Sequence, residues 1–227
     1  MTIHFSDIAT AEQRLELDGR RTYRVRSFYN QIAKRWLDIM LVLVAVPIVL
    51  PVVAVMALLV ALDGHNPFYS QMRIGRGGRA FRIWKMRSMV PNADQALEAY
   101  LAENPDARAE WDATQKLRED PRITRIGAVL RKCSLDELPQ LWNVLIGSMS
   151  LVGPRPMMPC QKELYPGHAY YALRPGITGP WQVSERNDSM FAGRAAFDDD
   201  YARAVSFRTD LRLLTQTVGV VLRGTGH

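Results

Sequence analysis

Two adjacent acids, Asp136 and Glu137, lie at the predicted start of an apolar helix and follow the bases Arg131 and Lys132. A structural explanation is helix capping, because Ser134 and Glu137 fit an S-x-x-E box and acids stabilise a first helical turn by about 0.3 to 1 kcal/mol. A chemical explanation is that one carboxylate attacks phosphorus while its neighbour binds Mg²⁺. The acid pair alone leaves both explanations open.

The chain also has residues suited to phosphate, and these favour the chemical explanation. Arg155 lies between two prolines in GPRP at 153–156, and a fixed guanidinium can bind a phosphate through two charge-assisted hydrogen bonds. Further bases, amides and a tryptophan follow at 174–179 and 181–187. Taken singly, such segments are more often ordinary turns.

Composition limits the kind of molecule that could carry this chemistry. A chain of 227 residues, 48% of them hydrophobic, suits one compact domain with an anchor. The net charge of +6 favours an anionic partner such as phospholipid, nucleotide, nucleic acid or phosphate ester. Nucleic acid is disfavoured, since no stacking motif or recognition helix is evident. Cys133 and Cys160 lack metal-ligand spacing and are predicted to be free thiols.

The strongest physical signal is an apolar run at 39–62 without a charged residue, long enough to cross a hydrocarbon core of about 30 Å. Pro47 and Pro51 predict a break or sharp kink within it. Two bases precede the run and six follow it: Lys34 and Arg35, then Arg73, Arg76, Arg79, Arg82, Lys85 and Arg87. Both ends then suit the cytoplasmic side. The sequence therefore predicts a re-entrant membrane helix at 34–63, no cleaved signal peptide, and a mobile tail at 1–33.

The remaining chain, 64–227, predicts a catalytic domain at the membrane surface. Glycines at 75, 77 and 78 indicate a small hairpin within 68–89. Helical pieces are expected at 92–118, divided by Pro105, and at 123–146, divided near Ser134. A long ordered loop region at 147–179 and an amphipathic helix at 211–223 complete the domain. The fold class is an α-rich α+β monotopic membrane protein.

Four motifs in this order resemble the bacterial polyprenyl-phosphate hexose-1-phosphate transferase family: LDELPQLWNVL at 135–145, SMSLVGPRP at 148–156, RPGITGPWQV at 174–183, and ERN at 185–187. The similarity extends from about Lys34 to Arg223. Within the family, the stretch at 104–132 looks most like ExoY-type exopolysaccharide-initiating galactosyl-phosphate transferases.

The resemblance implies a reaction and a set of site residues. Asp136 would attack the sugar-bearing phosphorus of a UDP-sugar, release UMP and form an aspartyl phosphosugar, which passes to undecaprenyl phosphate. Glu137 would bind the Mg²⁺ cofactor. The predicted phosphate or substrate contacts are Lys85, Arg87, Arg131, Arg155, Gln182, Arg186, Asn187, Asp198 and Asp210.

The resemblance also implies a place in the cell and a set of partners. The expected place is the cytoplasmic face of the bacterial inner membrane, at the first membrane step of exopolysaccharide synthesis. The donor would be UDP-galactose or UDP-glucose, and anionic phospholipid would be a further partner. The resemblance also favours a homodimer, and no nucleic-acid partner is expected. Two positions depart from the family pattern: Leu50 replaces a serine before Pro51, and Glu185 replaces a glycine before Arg186.

A second class of protein fits the same charge pattern. In a non-catalytic membrane-surface protein, the basic stretch 73–87 would bind anionic lipid and the acid pair would only cap a helix. Such a protein would bind membranes without releasing UMP. An enzyme would show turnover that depends on Mg²⁺.

Overall fold

A computed structural model describes residues 28–114, 117–184 and 191–223. Its helices are α1 Lys34–Ala61, α2 Ala93–Glu103, α3 Pro105–Thr114, α4 Arg125–Lys132, α5 Gln140–Leu145, α6 Ala169–Ala172, α7 Pro180–Ser184, α8 Arg194–Ala204 and α9 Phe207–Arg223. Its strands are β1 Phe68–Ile74, β2 Ala80–Met86, β3 Ser150–Val152 and β4 Gly176–Thr178. The predicted α-rich fold with a small hairpin is confirmed.

Helix α1 dominates the N-terminal part of the described chain. A π-helical turn, Tyr29–Ala33, runs directly into it, so residues 28–33 belong to the helix and not to the predicted tail. The rest of that tail, residues 1–27, lies outside the described residues. Within the described ranges, Tyr29–Ala61 is the one helix long and apolar enough to cross a membrane.

The two prolines do not interrupt α1, which continues through both of them. Each proline removes one hydrogen bond to the carbonyl four residues earlier. Because Pro47 and Pro51 are themselves four residues apart, both losses fall on one side of the helix, and the intact bonds on the other sides sustain it. The predicted interruption is therefore absent from the secondary structure. The return of the chain to one membrane face stays a prediction.

The N-terminal end of α1 is fixed to the globular part by charged groups. Lys34 forms a buried ion pair with Asp210 of α9. Arg35 donates hydrogen bonds to the carbonyls of Val144 and Leu145, the second at 2.6 Å. These carbonyls lie in the last turn of α5, where cations are favourably placed.

The C-terminal end of α1 is fixed to the same globular part. Val60 is buried in a cluster with Met86 and Leu130. Arg87 donates to the Val60 carbonyl at 3.1 Å and to both carboxylate oxygens of Asp63 at 2.6 and 2.7 Å. Both ends of the apolar helix are thus held by one domain.

Much of the surface of α1 between these ends is apolar and exposed. Val44, Ile48, Leu50 and Leu58 are between 64% and 73% exposed. Contiguous exposed apolar surface of this kind marks a contact with a membrane or a partner. The finding supports membrane association of the chain.

Strands β1 and β2 form the predicted hairpin, pairing antiparallel with Phe68 opposite Met86 and Ile74 opposite Ala80. Gly77 and Gly78 in the turn have φ of 69° and 75°, which glycine adopts without strain. Side chains alternate between the two faces of a strand. Lys85 therefore lies on the same face of β2 as Ile83, which is buried.

The predicted helix boundaries agree with the structure in one case and differ in another. Pro105 is the first residue of α3, as expected for a proline that divides two helices. The segment between α4 and α5 is longer than predicted, because a 3₁₀ turn, Leu135–Glu137, lies between them. The acid pair is therefore in this turn and not at the start of the apolar helix.

The predicted loop region 147–179 contains short elements that fix its path. Strands β3 and β4 pair in parallel, with Ser150 opposite Gly176 and Val152 opposite Thr178. A Cβ at Gly153 would lie 2.2 Å from the carbonyl oxygen of Arg174, so only glycine allows this approach of two backbones. The glycines of the two motifs thus serve packing.

Candidate active site

The acid pair is presented by a strained backbone turn. Ser134 has φ of 54°, in the left-handed region that costs a non-glycine residue about 1 to 2 kcal/mol. The side chain of Ser134 makes no capping hydrogen bond. The capping explanation of the S-x-x-E pattern is therefore wrong. Strain immediately before two acids is instead typical of a functional site.

Lys85 of β2 faces both acids. Its Nζ lies 2.8 Å from Oε1 of Glu137 and 3.5 Å from Oδ2 of Asp136. The three side chains are each only partly accessible, with 11 to 23% of their surface exposed. A cation at this distance stabilises the ionised form of both carboxylates.

A buried asparagine fixes β2 relative to the acid turn. Asn143 of α5 is fully buried, and its side-chain amide bonds the backbone of β2 as a neighbouring strand would. It donates to the Arg82 carbonyl at 2.7 Å and accepts from the Trp84 amide at 3.0 Å. Because α5 begins three residues after Glu137, this contact sets the distance between Lys85 and the acids.

Arg155, which comes after the acid pair in the sequence, also contacts it. Its Nη2 lies 3.2 Å from Oε1 of Glu137. The residue follows β3, at the junction that the close approach of Gly153 and Arg174 holds in place. The structure thus brings Arg155 to the acid pair, and its predicted contact with phosphate stays a prediction.

Arg131, at the end of α4, lies near the other acid. Its Nε donates to Oγ of Ser88 at 2.9 Å. Burial lowers the pKa of Arg131, and the nearby carboxylate of Asp136 opposes that shift. A Cβ on Gly127 would lie 1.9 Å from the Ser88 carbonyl oxygen, so α4 packs directly on the segment that carries Ser88.

Asp136 itself is 8% exposed. Burial raises its pKa above the ordinary carboxylate value, Lys85 opposes the rise, and the charge of Glu137 adds to it. Arg131 and Arg155 also favour the ionised form. The site is thus a partly desolvated carboxylate surrounded by three bases, an arrangement suited to nucleophilic attack beside phosphate groups.

Two further bases extend this positive region, and sequence reasoning did not assign either to the site. The guanidinium of Arg194 stacks on the rings of Trp181 at 4.0 Å and Phe191 at 4.7 Å. Burial, followed by the charge of Arg155, lowers its pKa to about 10. Arg73 of β1 has a pKa lowered by the same two causes in the same order. No sequence motif marked Arg194, whereas Arg73 was visible only as one of six bases after the apolar run.

Gln182 is 3% exposed, and neither polar atom of its side-chain amide has a hydrogen-bond partner in the described structure. Such a group is expected to have a partner when the protein functions. Gln182 therefore remains a predicted substrate contact. The predicted contacts Arg186 and Asn187, and the departure Glu185, lie outside the described residues.

The other predicted contacts have partners away from the acid pair. Arg87 is bonded to Asp63 and to the end of α1. Asp210 is buried with Lys34 and accepts hydrogen bonds from Tyr201 at 2.5 Å and Tyr29 at 2.7 Å.

Asp198 accepts a hydrogen bond from Tyr165 at 2.7 Å, and burial raises its pKa to about 7. The partners of Arg87, Asp198 and Asp210 thus indicate positioning roles, and their predicted contact with substrate stays a prediction.

The acid site also has a donor set that suits Mg²⁺, which prefers one or two carboxylates together with phosphate oxygens. The described residues hold no group of three or more acid, histidine or cysteine side chains that could bind a metal ion alone. The carboxylates of Asp136 and Glu137 are adjacent and lie beside bases suited to phosphate. They match a Mg²⁺ site in which phosphate oxygens of the substrate complete the set of ligands. The residues present therefore fit this ion, and the role of Glu137 as its protein ligand stays a prediction.

The comparisons with known proteins define the class to which this fold and site belong. The profile of the bacterial sugar transferase family matches residues 29–224, and the chain belongs to that family. It is 47% identical over 199 residues to the UDP-galactose-lipid carrier transferase of Erwinia amylovora, covering 87% of this chain and 42% of that protein.

Two further relatives differ in length from each other. The exopolysaccharide production protein ExoY of Rhizobium meliloti is 46% identical over 198 residues, or 86% of this chain and 88% of ExoY. The undecaprenyl-phosphate galactose phosphotransferase of Salmonella typhimurium is 44% identical over 199 residues, or 87% of this chain and 42% of that protein. The chain thus spans less than half of two relatives and most of the third.

Arg155→Lys tests whether the guanidinium geometry matters at this site. We expect transfer to fall about tenfold or more, because an ammonium keeps the charge and cannot bind phosphate through two parallel hydrogen bonds. The rate of UMP release from UDP-galactose measures the effect. Arg118→Lys, at an exposed position, is the matched control. A loss below about threefold, roughly 0.7 kcal/mol, would reduce Arg155 to a structural role.

Proposed function

We propose that this chain transfers hexose-1-phosphate from a UDP-sugar to undecaprenyl phosphate and releases UMP. The observation that carries the proposal is the buried carboxylate of Asp136 among Lys85, Arg131 and Arg155. A single carboxylate can serve as a nucleophile, while the bases offset the charge of a diphosphate. Membership in the bacterial sugar transferase family supports the same reaction.

The proposed reaction has two displacements at the sugar-bearing phosphorus. In the first, an Oδ of Asp136 bonds to that phosphorus, the bond to the bridging oxygen breaks, and UMP leaves with that oxygen. In the second, a phosphate oxygen of undecaprenyl phosphate bonds to the same phosphorus and the bond to Asp136 breaks. The carboxylate is regenerated, and the product is a polyprenyl diphosphate sugar.

Each base near the acids has a proposed role in these steps. Lys85 and Arg155 bind phosphate oxygens and hold Glu137 in place, since both already contact its Oε1. Arg131, fixed by Ser88, offsets charge beside Asp136. Mg²⁺, held by Glu137 and substrate oxygens, would neutralise charge on the diphosphate and on departing UMP.

The donor is proposed to be UDP-galactose, with UDP-glucose as the alternative. Two relatives support galactose by name, the UDP-galactose-lipid carrier transferase and the undecaprenyl-phosphate galactose phosphotransferase. The name of ExoY supports a place in exopolysaccharide production.

The experiment that tests the function gives purified protein in lipid a panel of UDP-sugars with undecaprenyl phosphate and Mg²⁺. We expect UMP release that is fastest with UDP-galactose and absent without the ion. If none of the UDP-sugars in the panel yields UMP, the alternative class is favoured, a non-catalytic protein that binds anionic lipid.

The proposed location is the cytoplasmic face of the bacterial inner membrane, with α1 dipping into the bilayer and returning. The contacts at both ends of α1 support this topology, because Lys34 and Val60 both pack against the same globular part. A helix crossing the bilayer would separate these contacts. The exposed apolar side chains between the ends suit acyl chains.

Cysteine labelling tests this topology. Single cysteines at Gln31 and Glu103, both exposed, would be introduced into a Cys133→Ser/Cys160→Ser background. We expect neither site to react with a membrane-impermeant thiol reagent in intact cells, and both to react once the inner membrane is opened. The background protein should retain activity, because neither thiol has a part in the proposed reaction.

Labelling of Gln31→Cys in intact cells would contradict the re-entrant topology and indicate a transmembrane helix. Glu103→Cys serves as the matched control for the globular part, since UDP-sugars are cytoplasmic. If neither site reacts in opened membranes, labelling of the denatured protein shows whether the two cysteines are able to react at all.

A further inference from the structure

A second basic site lies at the tip of the β1–β2 hairpin. A cleft of about 580 Å³ opens there, between the hairpin turn and the end of α5. Its lining includes the three arginines Arg76, Arg79 and Arg174, together with Ile146 beside Gly147. No acid lines the cleft within the described part of the chain.

The charges in this cleft are close to one another. Burial lowers the pKa of Arg174, and the neighbouring charges of Arg76 and Arg35 lower it further. Arg35 borders the cleft, because its Nη2 would lie 3.4 Å from a Cβ on Gly147. Within the described part of the chain, neither Arg76, Arg79 nor Arg174 forms an ion pair with an acid. Guanidinium groups held together in this way favour an anionic ligand.

The apolar side chain of Ile146 lies at the rim of the cleft, which adjoins Arg35 at the start of α1. Ile146 is 56% exposed and Trp142, one helical turn earlier on α5, is 58% exposed. Trp36, near the start of α1, is 65% exposed. Exposed tryptophans beside bases are typical of the interface between water and bilayer. A ligand with a phosphate and an acyl chain would match both the cleft and its rim.

The cleft is separate from the acid pair. Ala80 is at the hairpin tip and Lys85 is five residues further along the same strand, a distance of about 16 Å at roughly 3.3 Å per residue. A phosphate in the cleft could not reach Asp136. The ligand is therefore not a reacting group of the proposed transfer.

We propose that this cleft binds the phosphate headgroup of an anionic phospholipid, with Arg76, Arg79 and Arg174 contacting the phosphate. The acyl chains lie along Ile146 and the first turns of α1. The bound lipid fixes the hairpin tip at the membrane surface. This binding is independent of the transfer reaction, so it stands or falls separately from the proposed function.

The test measures the unfolding midpoint of the full chain in uncharged detergent against the concentration of dioctanoyl phosphatidylglycerol. The variant Arg76→Gln/Arg79→Gln removes two exposed charges of the cleft. The matched control Arg82→Gln/Arg118→Gln removes two exposed charges elsewhere. Parallel titrations use dioctanoyl phosphatidylcholine, inorganic phosphate and farnesyl phosphate.

We expect phosphatidylglycerol to raise the midpoint of the wild type and of the control variant, and phosphatidylcholine to do so less. In the cleft variant the apparent Kd should rise by roughly thirtyfold, since each base near an anionic lipid contributes about 1 kcal/mol, close to fivefold. The rate of UMP release in detergent should stay unchanged. If the double variant does not fold, Arg76→Gln is compared with Arg82→Gln, with about a fivefold rise expected.

Three results would overturn the proposal. Equal apparent Kd values for the cleft and control variants would mean that the lipid binds elsewhere. An equal response to inorganic phosphate would indicate a site for free phosphate. A response to farnesyl phosphate alone would assign the cleft to the polyprenyl acceptor.

Discussion

Asp136→Asn is expected to lower UMP release by at least about 10³-fold, because the amide keeps the shape of the side chain and cannot act as an anionic nucleophile. The fold should persist, since Asp136 lies in a short 3₁₀ turn whose backbone the substitution does not alter. The measurement is UMP release from UDP-galactose with undecaprenyl phosphate present. No adduct should form on the variant.

Asp106→Asn is the control for this substitution, since Asp106 is an exposed acid in the first turn of α3. It should leave the rate unchanged. A wild-type rate in Asp136→Asn, with a folded protein, would remove Asp136 from the reaction. A loss of rate together with a lower unfolding midpoint would instead point to damage to the turn.

Glu137→Gln is expected to lower the rate by at least about 10-fold to 100-fold, because a loss of this size is already typical when a residue that only orients a metal ligand is replaced. Two effects combine in this variant. A neutral amide is a poorer ligand for a hard cation, and it also loses the ionic contacts to Lys85 and Arg155. The measurement is the rate as a function of Mg²⁺ concentration, where the variant should need more of the ion.

Glu103→Gln, at an exposed position of α2, is the matched control. An unchanged rate and an unchanged Mg²⁺ response in Glu137→Gln would leave Glu137 with no part in the chemistry. An unchanged Mg²⁺ response with a lower rate would mean that Glu137 only positions the two bases.

Local patterns account for the parts of the fold that the sequence predicted. The apolar run, the glycines of the hairpin turn and Pro105 each act on neighbouring residues, so their effect can be derived without the rest of the chain. Pro47 and Pro51 do not interrupt α1, so the predicted break is wrong, whereas the predicted sharp kink stays a prediction. The intact hydrogen bonds around the two prolines sustain α1. The low helix propensity of proline does not take these neighbouring bonds into account.

Contacts between distant residues account for what the sequence did not predict. Asn143 bonds the backbone of a strand about 60 residues earlier, and nothing in the motif around it specifies that partner. Arg194 stacks on Trp181 only because α7 and α8 meet. Arg87 and Asp210 were predicted from charge and resemblance alone, and the structure gives them partners at the two ends of α1.

The choice between capping and catalysis also needed the structure. The S-x-x-E pattern is the same in both cases, and only the left-handed backbone of Ser134 and the direction of Glu137 toward Lys85 separate them. The resemblance to the transferase family favoured catalysis without this geometry. The geometry removes the capping explanation, and the catalytic role of the acid pair stays a prediction.

The central claim is that Asp136 carries the phosphosugar between the two steps. The most direct measurement incubates the protein with UDP-galactose and Mg²⁺ without undecaprenyl phosphate, digests it, and determines by mass spectrometry the mass of the peptide that contains Asp136. The account predicts a phosphosugar on Asp136, formed together with UMP and lost when undecaprenyl phosphate is added. UMP that forms only when the acceptor is present, with no modified peptide at any time, would contradict it and indicate direct transfer.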